Sequence, residues 1–133
     1  MNIAKSEWQV MRILWSTPGL SSNQIFDYIS NDKKLTWKKT TVKTLLSRLL
    51  NKKILHVVVR GRTYFYYPTI SEEEALGGIT NEFSEGICAL QLPKAILQLI
   101  ERTKLSNKNI EELEHCLKEK KQSAEIEITC NCL

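Results

Sequence analysis

No apolar run in the chain approaches the roughly 20 residues that a membrane-spanning helix needs, and the opening residues, Met1 to Trp8, contain no apolar signal core. Neither membrane insertion nor export is therefore expected, and the expected location is the cytoplasm. No grouping of Ser, His and Asp, no HExxH, no phosphate-cradling glycine loop and no paired-carboxylate site is present, so no enzymatic activity is expected. Internal repeats and low-complexity tracts are also missing. Cysteine is scarce: four residues, Cys88, Cys116, Cys130 and Cys132. In a reducing compartment, close cysteine spacing points to metal or redox chemistry rather than to a disulfide.

What is there is an ordinary globular composition, 42% hydrophobic and 26% charged, with a net charge of +4. That total conceals an asymmetry. Residues 1–70 carry 12 Lys/Arg against 3 Asp/Glu, and residues 71–133 carry 7 against 12, so +9 is followed by −5. A basic first half suits a polyanion, and an acidic second half suits a part that does not touch it.

The apolar pattern predicts three helices and then a hairpin. Ser6 with Gln9 reads as a capping box ahead of the stripe Trp8, Val10, Met11, Ile13, Leu14 and Trp15, which stops at the turn Thr17-Pro18-Gly19. Ser21 with Gln24 opens a second helix carrying Ile25, Phe26 and Ile29, and Asn31-Asp32-Lys33-Lys34 reads as a loop. A third helix, from about Lys38 to Lys52, has Val42, Leu45, Leu46 and Leu49 on one side. The β-branched and aromatic runs Ile54 to Val59 and Thr63 to Tyr67, separated by Arg60-Gly61-Arg62, read as a hairpin ended by Pro68. This order is that of a winged helix-turn-helix.

The fold class is thus mostly α with a small β wing. The expected domains are a winged-helix DNA-binding domain at 1–70, a helical dimerisation region at 71–121 and a flexible cysteine-containing tail at 122–133. Ser71 with Glu74 opens the acidic half, in a helix that Gly77 and Gly78 weaken, so an irregular or kinked helix is expected. Pro93 suits the first turn of the next helix, with Ile96, Leu97, Leu99 and Ile100. Ser106 or Asn107 caps the last, with Ile110, Leu113 and Leu117. Helices with such narrow apolar faces bury little alone, so packing against a second copy of the chain is expected.

The polar side of the third helix has the residues needed to read double-stranded DNA. Thr41, Thr44 and Arg48 share one face, flanked by Thr40, Lys43 and Ser47. Threonine suits the thymine methyl and base edges, while Lys and Arg reach guanine or phosphate. Lys38 and Lys39 at the helix start suit phosphate, and Arg60 and Arg62 at the wing tip can reach the backbone or minor groove. The bland alternative is a solvated helix face. Trp8, Trp15 and Trp37 read as packing residues, and His56 as structural.

Three motifs in order carry a resemblance. The segment Ser6 to Trp15 is similar to the first helix of the penicillinase-repressor family, the BlaI/MecI/CopY group. Thr40 to Leu49 resembles the family's recognition helix and Gly61 to Pro68 its wing. The resemblance is close over roughly residues 5–75 and looser beyond. It implies a homodimeric repressor that reads a palindrome of TACA/TGTA half-sites and contacts it through Thr40, Thr41, Lys43, Thr44, Arg48 and the wing arginines.

Within that family the closing Cys130-Asn131-Cys132 resembles the copper-responsive, CopY-type branch. That branch ends in two such pairs and is expected to repress with zinc and to release DNA when Cu(I) takes its place. This chain has one pair. Structural zinc commonly takes four thiolates, so a Zn(II) ion bridging the tails of two chains fits the count, and Cu(I), being soft, competes for the same sulfurs. Cys88 and Cys116 sit among apolar residues and read as core packing, and His115 as solvated.

The leading expectation is therefore a copper-responsive dimeric repressor with Zn(II) or Cu(I) at Cys130 and Cys132. A β-lactam-responsive repressor inactivated by proteolysis, with a non-functional CxC tail, is the alternative within the family. A copper-buffering or thiol-redox protein is the alternative from another class.

Overall fold

The computed structural model describes residues 2–32 and 35–132. Lys33 and Lys34 of the expected loop lie outside them. The described elements are α1 (Lys5–Ser16), α2 (Ser22–Ser30), α3 (Lys39–Asn51), β1 (Leu55–Arg60), β2 (Thr63–Pro68), α4 (Glu72–Gly86), α5 (Leu92–Arg102) and α6 (Asn107–Gln122). The chain divides into two compact units, residues 1–81 and 82–133, with the division falling inside α4.

The first unit is a winged helix-turn-helix, in the expected element order. Val10, Met11 and Leu14 of α1, Ile25 and Ile29 of α2, and Val42, Leu45, Leu46 and Leu49 of α3 form one core with Leu20, Ile54, Leu55 and Tyr66. Burying each large aliphatic side chain contributes about 1.5–3 kcal/mol relative to leaving it exposed. Trp15 and Trp37 pack against that core. Trp8 meets Trp15 edge-to-face at 5.2 Å, and the Trp15 indole donates to the Ile70 carbonyl at 3.0 Å, tying α1 to the chain just before α4.

The start of α1 differs from the Ser6–Gln9 expectation. The helix begins two residues earlier, with Ala4 at the N-cap, and Glu7, not Gln9, reaches back to accept the Ala4 N–H at 2.9 Å. Glu7 is 1% exposed. What makes its burial tolerable is Lys52, whose ammonium lies 2.6 Å from Glu7 Oε1 and also donates to the Asn2 carbonyl at 2.7 Å. The pair joins α1 to the C-terminal end of α3, a tertiary partnership that local capping rules do not encode. The other boxes form as expected, Ser21 with Gln24 on α2 and Ser71 with Glu74 on α4.

α3 ends in a Schellman motif. Lys53 adopts φ 62°, and the Ile54 and Lys53 amides donate to the Leu49 and Leu50 carbonyls, each at 3.0 Å. The turn delivers Ile54 and Leu55 to the core and starts the wing. β1 and β2 pair antiparallel from Leu55–Pro68 to Arg60–Thr63. The two-residue connection has Gly61 first, at φ 63°, where a tight hairpin of type II′ places glycine. Leu20 adds an isolated bridge to Tyr66, through hydrogen bonds of 2.9 Å on either side. Gly19 just before it has φ 82°, and a Cβ there would lie 2.7 Å from the Tyr67 hydroxyl. The Pro18-Gly19 turn is thus the seat of the wing as well as the end of a helix. His56 stacks on Tyr67 at 5.4 Å within the hairpin, a structural role.

α4 runs unbroken through Gly77 and Gly78 to Gly86, against the expectation of an irregular helix. Thr80 bonds back to the Leu76 and Gly77 carbonyls at 3.1 and 3.0 Å, which adds local support beside the glycines.

In the second unit, Pro93 lies in the first turn of α5 and Ser106 caps α6 through Asn109. Neither helix has a buried residue in the single chain. Ile96, Leu97, Leu99, Ile100, Ile110, Leu113 and Leu117 are all exposed. Residues 124–132 form neither helix nor strand. Among the described residues, no helix is long and apolar enough to cross a membrane.

Candidate functional site

The polar face of α3 is the first candidate site. Lys38 occupies the N-cap, and Lys38, Lys39, Thr40, Thr41, Lys43, Thr44, Ser47 and Arg48 are all exposed, opposite the buried Val42, Leu45, Leu46 and Leu49. Helical spacing places them there, because every position that does not face the core is a hydroxyl or a cation over this stretch. Two details refine the face. Thr44 donates its hydroxyl proton to the Thr40 carbonyl at 2.9 Å, which leaves its methyl and oxygen lone pairs for any partner. Lys39 lies 5.8 Å from the Phe26 ring, so α2 steadies its ammonium.

The wing supplies the other expected cations. Arg60 and Arg62 are exposed at the hairpin tip. The Arg60 guanidinium sits 5.5 Å from the Phe65 ring. Lys52 is the one basic residue of the first half that Glu7 neutralises at close range among the described residues.

The second candidate site is a thiol cluster in the second unit. Cys88 lies in the turn between α4 and α5, where the Gln91 and Leu92 amides both donate to its carbonyl at 2.8 and 3.1 Å. The end of the chain returns to this turn. Cys130 Sγ lies 3.4 Å from Cys88 Sγ, and the sulfurs of Cys88, Cys130 and Cys132 all lie within 4.8 Å of one another. Asn131, between the two tail cysteines, accepts the Ala89 N–H at 2.8 Å, and the Cys132 N–H donates to Cys130 Sγ at 3.3 Å.

The thiols differ in acidity. The Leu90 backbone amide, then Cys132 and Cys130, stabilise the Cys88 thiolate and hold its pKa below the usual thiol range. The Cys132 thiol is pushed up to about 11, first by its hydrogen bond to Cys130 and then by that to Cys88. Such an all-sulfur set could hold a soft metal ion.

Cys88 and Cys116 are not core residues. Cys88 is half-buried and Cys116 is exposed. Both lie in the second unit, where among the described residues none is buried within one chain, so neighbouring leucines and isoleucines do not imply burial. Cys88 joins Cys130 and Cys132 across 42 residues of sequence, a separation that no spacing rule detects. The only local signal was its place just ahead of the Pro93 helix start. His115 is solvated and lies 3.1 Å from Glu119 one turn on.

The chain resembles known proteins over most of its length. The sequence profile of the penicillinase repressor family matches residues 3–119. An uncharacterized 16.5 kDa protein of Latilactobacillus sakei is 34% identical over 131 residues, covering 98% of this chain and 88% of that one. The penicillinase repressor of Bacillus licheniformis is 29% identical, covering 90% of this chain and 91% of its own. Among solved structures, the Bacillus licheniformis BlaI monomer in complex with the blaP half-operator matches 56% of this chain and 88% of its own at 30% identity, with a TM-score of 0.48. The profile match stops before Cys130 and Cys132, so the tail lies outside the part shared through it. The chain belongs to the penicillinase repressor family, whose members are DNA-binding transcriptional repressors.

Proposed function

We propose that the protein is a dimeric repressor that binds a palindromic operator of TACA/TGTA type through α3 and the wing, and that releases it when Cu(I) occupies its C-terminal thiols. The observation that carries the copper reading is the convergence of Cys88, Cys130 and Cys132 within 4.8 Å. Inert core cysteines would not leave Cys130 and Cys132 exposed and gathered beside a half-buried Cys88.

DNA contact falls to Lys38, Lys39, Thr40, Thr41, Lys43, Thr44, Ser47 and Arg48 on the exposed face of α3, and to Arg60 and Arg62 on the wing. The cations anchor the phosphate backbone, and the threonines with Arg48 address base edges. Dimerisation is supported by the exposed apolar side chains of α5 and α6, which a second copy of the same helices would cover. Two chains are also what a palindrome requires.

The regulatory step is linkage. Cys130 and Cys132 fasten the chain end when they hold a metal, and a fastened end that favours one arrangement of the helical half changes operator affinity by the difference in that preference. Zinc and copper both suit thiolates, and copper-driven release requires that the two support different arrangements. The test is a titration of the full-length protein on an inverted TACA/TGTA repeat and on a scrambled repeat, in the presence of Zn(II) and then Cu(I). Preference for the repeat with zinc, lost with Cu(I), supports the reading; indifference to both metals contradicts it.

A second reading has its own support in the similarity to a penicillinase repressor and to a methicillin resistance regulatory protein. In it the chain is inactivated by cleavage when cells meet a β-lactam. Cleavage products after β-lactam exposure, with operator binding unaffected by copper, would establish that reading in place of the first.

A further inference from the structure

We infer that Cys88 is the third ligand of a Cu(I) site contained in one chain, closed by Cys130 and Cys132, with Asn131 as the positioning residue that holds the tail against the α4–α5 turn. This rests on the proposed reading that the C-terminal thiols take a soft metal, and it changes which residues and how many chains make the site.

The geometry supports it in three ways. First, sulfurs that share one metal at about 2.3 Å each lie roughly 3.8–4.0 Å apart. The three here include one pair at 3.4 Å, and all lie within 4.8 Å, so sub-ångström adjustments bring them to one ion. Second, the residue between the tail cysteines is itself docked. Asn131 accepts the Ala89 N–H at 2.8 Å, which fixes the tail next to Cys88 independently of the sulfurs. Third, the set is pure sulfur. Among the described residues, no His, Asp or Glu belongs to the cluster.

Coordination number then selects the metal. Structural zinc takes four ligands, so three thiolates leave it one short. Cu(I) is soft, has a filled d shell and is satisfied by two or three thiolates. Two tails with two sulfurs each would share a single zinc ion, whereas two chains with three sulfurs each hold two separate copper ions. Loading exchanges thiol protons for the metal and transfers no electrons.

Titration of the reduced full-length protein with Cu(I), against a chromophoric Cu(I) chelator and without oxygen, reads stoichiometry and affinity. Copper K-edge absorption of the same samples counts sulfurs. The expected result is one Cu(I) per chain with three sulfur neighbours. Cys88→Ser should show two sulfurs and at least tenfold weaker binding while keeping its helical circular dichroism, and Cys116→Ser should match the wild type. A Cys88→Ser protein with wild-type affinity and sulfur count would overturn the inference. The two proposals separate cleanly. Three sulfurs on copper with undiminished operator binding upholds the site and overturns the switch. Copper-driven release, with Cys88→Ser binding copper as the wild type does, overturns the site and leaves the switch standing.

Discussion

Asn131 accepts a 2.8 Å hydrogen bond from the Ala89 backbone N–H, and this contact brings the last described residues of the chain to the turn that carries Cys88. A hydrogen bond of this kind contributes about 1 kcal/mol net, or roughly fivefold in an equilibrium constant. Asn131→Ala should therefore weaken Cu(I) binding about fivefold while the copper keeps three sulfur neighbours. Chelator competition and absorption spectroscopy check this; unchanged affinity would show that the tail is placed by the sulfurs alone.

Lys52 is the counterion of a carboxylate that is 1% exposed, while its own side chain is 36% exposed. Removing one partner of a buried pair costs about 3–5 kcal/mol, and the half-open lysine end reduces this to about 2–3 kcal/mol here. Lys52→Met should lower the urea midpoint of the full-length protein accordingly. Adding Glu7→Gln should restore part of the loss, because the amide keeps an acceptor for the Ala4 N–H without the charge. A Lys52→Met protein as stable as the wild type would show that Glu7 does not depend on it.

Lys53 sits at φ 62° in the Schellman turn after α3. A left-handed conformation costs a residue with a Cβ about 1–2 kcal/mol, part of which glycine gives back through its freer unfolded state. Lys53→Gly should stabilise the protein by about 0.5–1 kcal/mol, read as a higher thermal midpoint. It should do so without changing the copper stoichiometry, since the thiols belong to the other unit.

Lys43 is exposed on α3, between the threonines. If it contacts phosphate, Lys43→Ala should weaken operator and non-specific DNA binding alike and lower the magnitude of the salt-dependence slope by about 1. Arg48→Ala, if Arg48 contacts guanine, should instead cost about 1–3 kcal/mol on the operator and relax its sequence preference. Affinities measured at several salt concentrations distinguish the two behaviours.

How far the sequence could be read follows from what each feature depends on. The three helices, the hairpin and the exposed face of α3 come from local periodicity, and the core of Val42, Leu45, Leu46 and Leu49 was legible for that reason. The Ser21 and Ser71 caps were legible because both partners lie within four residues. At α1 the Ser6–Gln9 pairing gives way to the Ala4–Glu7 pairing, because a partner 45 residues away in sequence, Lys52, holds Glu7. The Leu20–Tyr66 bridge went unseen because a single bridging residue has no period. Cys88 was misread for a different reason. Apolar neighbours usually mean burial, but α5 and α6 expose their apolar faces in the single chain, so the rule had no core to act on.

The central claim is that occupation of the C-terminal thiols by copper is coupled to release of DNA. The most direct measurement is operator affinity by fluorescence anisotropy, for the full-length protein and for Cys130→Ser/Cys132→Ser, with and without one equivalent of Cu(I). The account predicts that Cu(I) weakens wild-type binding at least tenfold, about 1.4 kcal/mol of coupling, and leaves the double variant unchanged. Wild-type binding that ignores Cu(I), or a double variant that releases DNA as the wild type does, would contradict it.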